Sequence, residues 1–165
     1  MANVFDKIVG QKHAVCESSL VKATECGHIY SLKCHKDLDN GAIVSVGAWD
    51  GAQVFKSKEY EAGTRPILIL TPPLGYNSDR REYQDEQYFY NAEGEIARGY
   101  ELTDGDIFTV SAMAFNGDPE VGKFIDATYT VADSAGDSGF IGEIVEKVIY
   151  TNSISYRVFI RSVGM

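Results

Sequence analysis

From Ile154 to Arg161 the side chains alternate without a break. Ile154, Tyr156, Val158 and Ile160 fall on one side, and Ser155, Arg157, Phe159 and Arg161 fall on the other. A period of two puts successive residues on opposite faces of an extended chain, so the segment predicts a strand with one buried face. Phe140–Tyr150 predicts its partner, and the polar Thr151-Asn152-Ser153 between them predicts the turn of a closing hairpin. Nowhere does an apolar 3.6-residue pattern last for the ~10 residues a packed helix needs. Helix bundles and alternating strand–helix folds are thereby excluded.

The rest of the chain reads the same way. Ile29–Cys34, Ile43–Val46, Gln53–Lys58, Ile67–Leu70, Ile107–Met113 and Phe124–Val131 predict further short strands. Turn-forming clusters separate them: Asp37-Leu38-Asp39-Asn40-Gly41, Thr103-Asp104-Gly105-Asp106 and Asn116-Gly117-Asp118-Pro119. Asn40-Gly41 supplies the positive φ of a tight turn. Ten Tyr and eight Phe suit pleated surfaces. Roughly nine or ten short strands predict an all-β sandwich or barrel. The segments read as an N-terminal arm (1–10), a first β region (11–75), a tyrosine-rich polar connection (76–94) and a C-terminal β domain (95–165). Pro72-Pro73 leads into the connection, where a central strand cannot continue.

Charge narrows the function. Lys and Arg number 15 against 24 Asp and Glu, a net charge of −9. Nucleic-acid binding is driven by cations displacing counterions, so direct contact with a genome is not expected. Arg80-Arg81, the densest cationic spot, lies among Asp79, Glu82, Asp85 and Glu86. No apolar stretch reaches membrane-spanning length, and Met1–Asp6 lacks the basic start and apolar run of a secretory leader, so synthesis in the cytosol is expected. Three cysteines, Cys16, Cys26 and Cys34, are an odd count and imply no closed disulfide framework.

The candidate chemistry divides into four groups. Gly136-Asp137-Ser138-Gly139 resembles the nucleophile loop of chymotrypsin-like proteases, with His13, His28 and His35 all upstream. Phe140 stands where that loop needs a second glycine, and the string reads equally as a turn. His13, Cys16, Cys26, His28, Cys34 and His35 fall within 23 residues but lack the paired Cys-x-x-Cys or His-x3-5-His spacing of zinc sites. Asp37-x-Asp39-x-Gly41 begins like a calcium loop, yet its glycine comes a residue early and its twelfth position is Ala48. Glu93/Glu95 and Asp104/Asp106 are carboxylate pairs of the kind glycosidases use, placed here beside turn glycines. The expectation is a protein without catalytic residues, metal or cofactor.

One stretch carries a family likeness. Arg98-Gly99-Tyr100-Glu101-Leu102-Thr103-Asp104-Gly105-Asp106-Ile107-Phe108-Thr109-Val110 continues through Val121-Gly122-Lys123-Phe124 to Gly139-Phe140-Ile141-Gly142-Glu143-Ile144-Val145. Over residues 95–165 the chain resembles the auxiliary head proteins of tailed phages, the decoration, cement or head-fibre class. The resemblance implies a β-barrel or β-tulip fold made in the host cytoplasm and added to the virion's capsid exterior. It also implies the major capsid protein and copies of itself, as a homotrimer, for partners. On that reading Val4, Phe5 and Ile8 of the N-terminal arm are the candidate subunit contacts. The alternative is a glycan-binding β-domain of a tail or adhesin component, with Trp49 and Tyr76–Tyr90 as the sugar platform.

Overall fold

The computed structural model describes residues 12–73, 85–137 and 139–164. Val4, Phe5 and Ile8, Ser138, and Tyr76–Arg81 lie outside the described residues. The described residues are nearly all β, built into a six-stranded antiparallel sheet and a closed five-stranded barrel.

The sheet grows from the closing hairpin. Strands β10 (Ile141–Tyr150) and β11 (Ser153–Ser162) pair along their length. Thr151 and Asn152 both have positive φ, at 47° and 58°. Two left-handed residues in a two-residue loop match the right-handed twist of the strands they join. Tyr156, Val158 and Ile160 are buried as the alternation requires, but Ile154 is half exposed because the strand outruns the core beneath it. Outward from the hairpin lie β7 (Ile107–Ser111) and β1 (Cys16–Leu20) on one side, and β8 (Phe124–Ile125) and β9 (Val131–Ala132) on the other.

Two expected strands are shorter than their apolar runs. Phe124–Val131 splits into β8 and β9 because Asp126 captures the backbone between them. Its Oδ1 accepts from Thr128 N (2.8 Å) and Thr130 N (3.0 Å), and Tyr129 takes a φ of 59°. A carboxylate serving nearby amides offers the chain a turn in place of a ladder. Ile107–Met113 likewise ends at Ser111, and Ala112–Ala114 form a 3₁₀ turn.

The barrel contains β2 (Ile29–Lys33), β3 (Ile43–Gly51), β4 (Val54–Glu59), β5 (Ile67–Ile69) and β6 (Ile96–Glu101), ordered β2-β4-β3-β5-β6 with β6 returning to β2. Between β1 and β2 lies a single helical turn, α1 (Ala23–Cys26). β2 and β4 are parallel, so β4 lies between β2 and β3 and the Asn40-Gly41 turn does not close a hairpin. Gly41 keeps the expected positive φ of 96°, while the Asn40 side chain reaches across to Thr71 at 2.9 and 3.0 Å. Strand pairing crosses the boundaries drawn from sequence. β1 joins the C-terminal sheet, and β6, from the 95–165 segment, closes the barrel.

β5 explains how the two layers become one body. Ile67 and Ile69 fill the barrel with Leu32, Val44 and Ala97, while Leu68 belongs to the other core with Ile43, Tyr100, Leu102, Phe108 and Val158. A strand buried on both faces reads as a continuous apolar run, which is what Ile67-Leu68-Ile69 is. Inside the barrel space is tight: a Cβ on Gly99 would lie 2.5 Å from Ile67 Cγ2 and 2.9 Å from Leu32 Cδ1. Tyr129 ties the layers together by donating its hydroxyl to the Gly41 carbonyl.

Candidate binding surfaces

The side chains singled out in the sequence are mostly committed to structure. His13 hydrogen-bonds Asp39 (Nδ1 to Oδ1, 2.7 Å) and stacks on Tyr90 at 4.7 Å. His35 hydrogen-bonds Ser57 at 2.7 Å. Cys16 lies buried in the core between sheet and barrel, Cys34 inside the barrel, and Cys26 at the surface. Burial drives the Cys16 thiol far above its ordinary range, so it acts as a small hydrophobe. Among the described residues no three His, Cys, Asp or Glu converge on a metal position. Asp37 accepts from Glu93 N, Glu95 from Ala92 N, and Asp104 from Val163 N. Asp106 accepts from Lys22 N, Thr103 N and Thr103 Oγ1. These carboxylates staple turns, the role for which short polar side chains are favoured there.

Two surfaces stand out. The first is one end of the barrel, where an aromatic row runs from Trp49 to Phe55 (ring centroids 4.9 Å, 78° between planes) and on to Tyr30 (6.1 Å, 76°). His28 lies 6.1 Å beyond Tyr30. The Tyr30 hydroxyl donates to Glu101 Oε2 at 3.3 Å, and Arg65 Nη1 donates to Glu101 Oε1 at 2.8 Å. Burial and the adjacent carboxylate push the Tyr30 phenol above its usual range, so it remains a neutral donor. Lys22, Ala23, Cys26, Gly27, His28, Glu101 and Thr103 line a cleft of about 180 Å³.

Trp49 is 58 % exposed and sits between two register shifts in the β3–β4 ladder, Val46/Trp49 and Trp49/Gly51. Bulges re-aim side chains, which accounts for an indole held outward beside an otherwise regular strand. The following two-residue turn repeats the geometry of Thr151-Asn152: Ala52 and Gln53 both have positive φ, 51° and 64°, which matches the twist of the strands they join. Asp50 anchors the ribbon through Lys33 (3.1 Å) and Lys56 (3.4 Å), and the two ammonium groups hold its carboxyl below the ordinary range.

The second surface is the hairpin tip. Ile149 and Ile154 are Cα partners across β10–β11 and are 81 % and 50 % exposed. Met113, exposed as well, follows Ser111, the partner of Ser155. Beyond Ile144 no strand pairs with the outer edge of β10 among the described residues. A bulge at Val145 and the charge of Lys147 guard that edge against indiscriminate pairing. The tip is braced from behind. Gln87, in the 3₁₀ turn Glu86–Tyr88, donates to the Thr151 carbonyl, and Tyr150 hydrogen-bonds Glu86.

That brace gives a pH-dependent stability. Burial, opposed only partly by the Tyr150 hydrogen bond, raises the Glu86 carboxyl above its normal value, and its Oε2 has no hydrogen-bond partner among the described residues. Burial and the neighbouring Glu86 push Tyr150 up to about 12. A raised carboxyl pKa means the folded state holds its proton longer than the unfolded chain does. Stability is therefore full below the unfolded pKa and falls as pH rises through the folded one. Glu86→Gln is expected to raise the melting temperature at neutral pH and leave it unchanged below about pH 4, measured by calorimetry across that range.

Sequence reading found Trp49 but missed Tyr30, Phe55 and Glu101 as its companions, because β2, β4 and β6 meet only when the barrel closes. The alternation predicts a hairpin that is core along its length, and its apolar tip shows only in the extent of the layer beneath it. Set against protein-family models, curated proteins and solved structures, the chain matches none of them.

Proposed function

We propose that this chain is an auxiliary structural protein of a tailed-phage head, bound to the capsid exterior and strengthening contacts between major capsid subunits. The observation that carries this reading is the braced hairpin tip, where Ile149 and Ile154 hold apolar surface in water on a rigid two-stranded ribbon. Exposed apolar surface on a fixed element marks a docking site, and a strand edge beside it permits backbone pairing with a neighbour. The resemblance of residues 95–165 to decoration, cement and head-fibre proteins supplies the kind of assembly. The net charge of −9 fits a partner with a positive outer surface and disfavours contact with packaged DNA. No helix among the described residues is long and apolar enough to cross a membrane.

Electron microscopy of particles carrying the chain tests the reading, with density expected across subunit boundaries on the outer face. The double variant Ile149→Asp, Ile154→Asp should fold with stability changed by only about 0.5 kcal/mol per site, since neither side chain is core. Its occupancy on particles should fall about tenfold or more. Undiminished occupancy, or purified particles without the chain, overturns the proposal.

A further inference from the structure

We infer that the N-terminal segment preceding Lys12 docks on the outer face of its own six-stranded sheet, with Phe5 as the anchor on an apolar row there. The ladder registers draw that row. Leu20 pairs with Ile107, Ile107 with Phe159, Phe159 with Glu143, Glu143 with Phe124, and Phe124 with Ala132. Cross-strand partners share a face, so these six side chains form one line across all six strands. It is the face away from the core, because the chain neighbours Phe108, Val158, Ile144 and Ile125 point into the core. Leu20 is 58 % exposed, Ile107, Phe159 and Phe124 are half-buried, and none of the four packs in either core. Arg161 pairs with Glu143 and lies 4.7 Å over the Phe159 ring, so the one carboxylate in the row is neutralised.

Nearer the hairpin tip the same face has the opposite character. Thr109, Ser111 and Ser155 continue it and are buried. Ser111 Oγ accepts from Val15 N at 3.0 Å, Tyr150 hydrogen-bonds Glu86, and Gln87 donates to the Thr151 carbonyl. The described residues thus cover the polar end of the face and leave its apolar end open. Apolar surface gains most from leaving water, so the missing part of this layer is the part with most to gain from a cover.

Position, reach and chemistry select the occupant. His13 N donates to the Gln87 carbonyl at 2.6 Å, so residues 1–11 join the described chain beside the covered end of this face. Along β1 the row lies about 23 Å from His13 at about 3.3 Å per residue, and the extended chain back to Phe5 spans about 26 Å. Val4-Phe5-Asp6-Lys7-Ile8-Val9 is apolar with one charge of each sign. The face offers Arg157 and Arg161 to Asp6, and Glu17 and Glu146 to Lys7. A second copy fits less well. The row is about 24 Å long at about 4.8 Å between strands and one residue deep, whereas a stable interface buries about 800 Å² on each partner.

A double-mutant cycle between the segment and the row tests this, with melting temperature read by calorimetry. On the described residues alone, Leu20 is a surface side chain whose replacement costs little. Beneath Phe5, Leu20→Asp should instead lower the melting temperature of the full chain by about 4 °C or more, and by about 1 °C or less once residues 2–9 are deleted. Phe5→Asp in the full-length chain should abolish the Leu20→Asp effect in the same way, and it carries the test should the shortened chain fail to fold. Equal effects of Leu20→Asp with and without Phe5 overturn the inference. So does a Leu20→Asp effect of about 1 °C or less in the unaltered full chain. A coupling that disappears on dilution puts a neighbouring copy's segment on the row and overturns the intramolecular assignment. The cycle uses the isolated chain, so its outcome is independent of what the hairpin tip docks against.

Discussion

Replacing Phe108 with alanine is expected to lower the unfolding free energy by about 3–5 kcal/mol, at the upper end of single-residue effects. Phe108 lies in β7 opposite Val158 and is 1 % exposed. It meets Tyr129 edge-on (ring centroids 6.5 Å, 87°) and belongs to the core that joins the sheet to the barrel wall through Leu68, Tyr100 and Leu102. The neighbouring strands are fixed by ladders on both sides, so they cannot collapse into the space left behind. The cost is then the lost transfer free energy plus a cavity term. For a domain of this size about 1 kcal/mol corresponds to about 2–4 °C, so a drop of about 6–20 °C is expected by calorimetry. Ile149→Ala, in the same sheet but solvent-exposed, should shift stability by no more than about 0.5 kcal/mol. Equal losses at the two positions would mean that the two layers do not share a core.

Asn40→Ala should be nearly as damaging, at about 2–4 kcal/mol, without removing any apolar contact. Asn40 is 4 % exposed and acts as a surrogate strand. Its Nδ2 donates to the Thr71 carbonyl, and its Oδ1 accepts from Thr71 N and from Asn91 Nδ2 at 3.2 Å. Asn91 in turn donates to the Leu38 carbonyl at 3.1 Å, beside the paired backbone bonds of Leu38 and Asn91 at 2.8 Å. Truncation strands three backbone or amide groups that water reaches poorly, and an unpaired buried group costs more than a made hydrogen bond contributes. Asn40→Asp should also destabilise, since it loses the donor to Thr71 and introduces a buried charge. Urea unfolding measures both losses, and amide exchange at Thr71 should quicken in each variant. A loss below about 0.5 kcal/mol for Asn40→Ala would show that the loop is held by its backbone alone.

The order of residues along the chain determined a good part of this protein by itself. Alternation at Ile154–Arg161 and the polar Thr151-Asn152-Ser153 specify the β10–β11 hairpin, because side-chain period and turn chemistry are local properties. The absence of sustained helical periodicity determined the all-β class for the same reason. Asn40-Gly41 declared its positive φ, yet not that β4 would intervene between the flanking strands. The pairing partner of a strand depends on contacts distant in sequence, and no local pattern encodes it. Thus β1, whose Cys16-Glu17-Ser18-Ser19-Leu20 carries no clean alternation, is a strand because β7 offers it an edge. Trp49 was conspicuous as a lone indole, whereas Tyr30, Phe55 and Glu101 join it only because the barrel closes β6 onto β2 and lays β2 beside β4. The exposure of Ile149 and Ile154 was likewise decided by the tertiary structure. They continue the buried pattern of the hairpin, but the core ends before they do, and a side chain is core only where a second layer covers it.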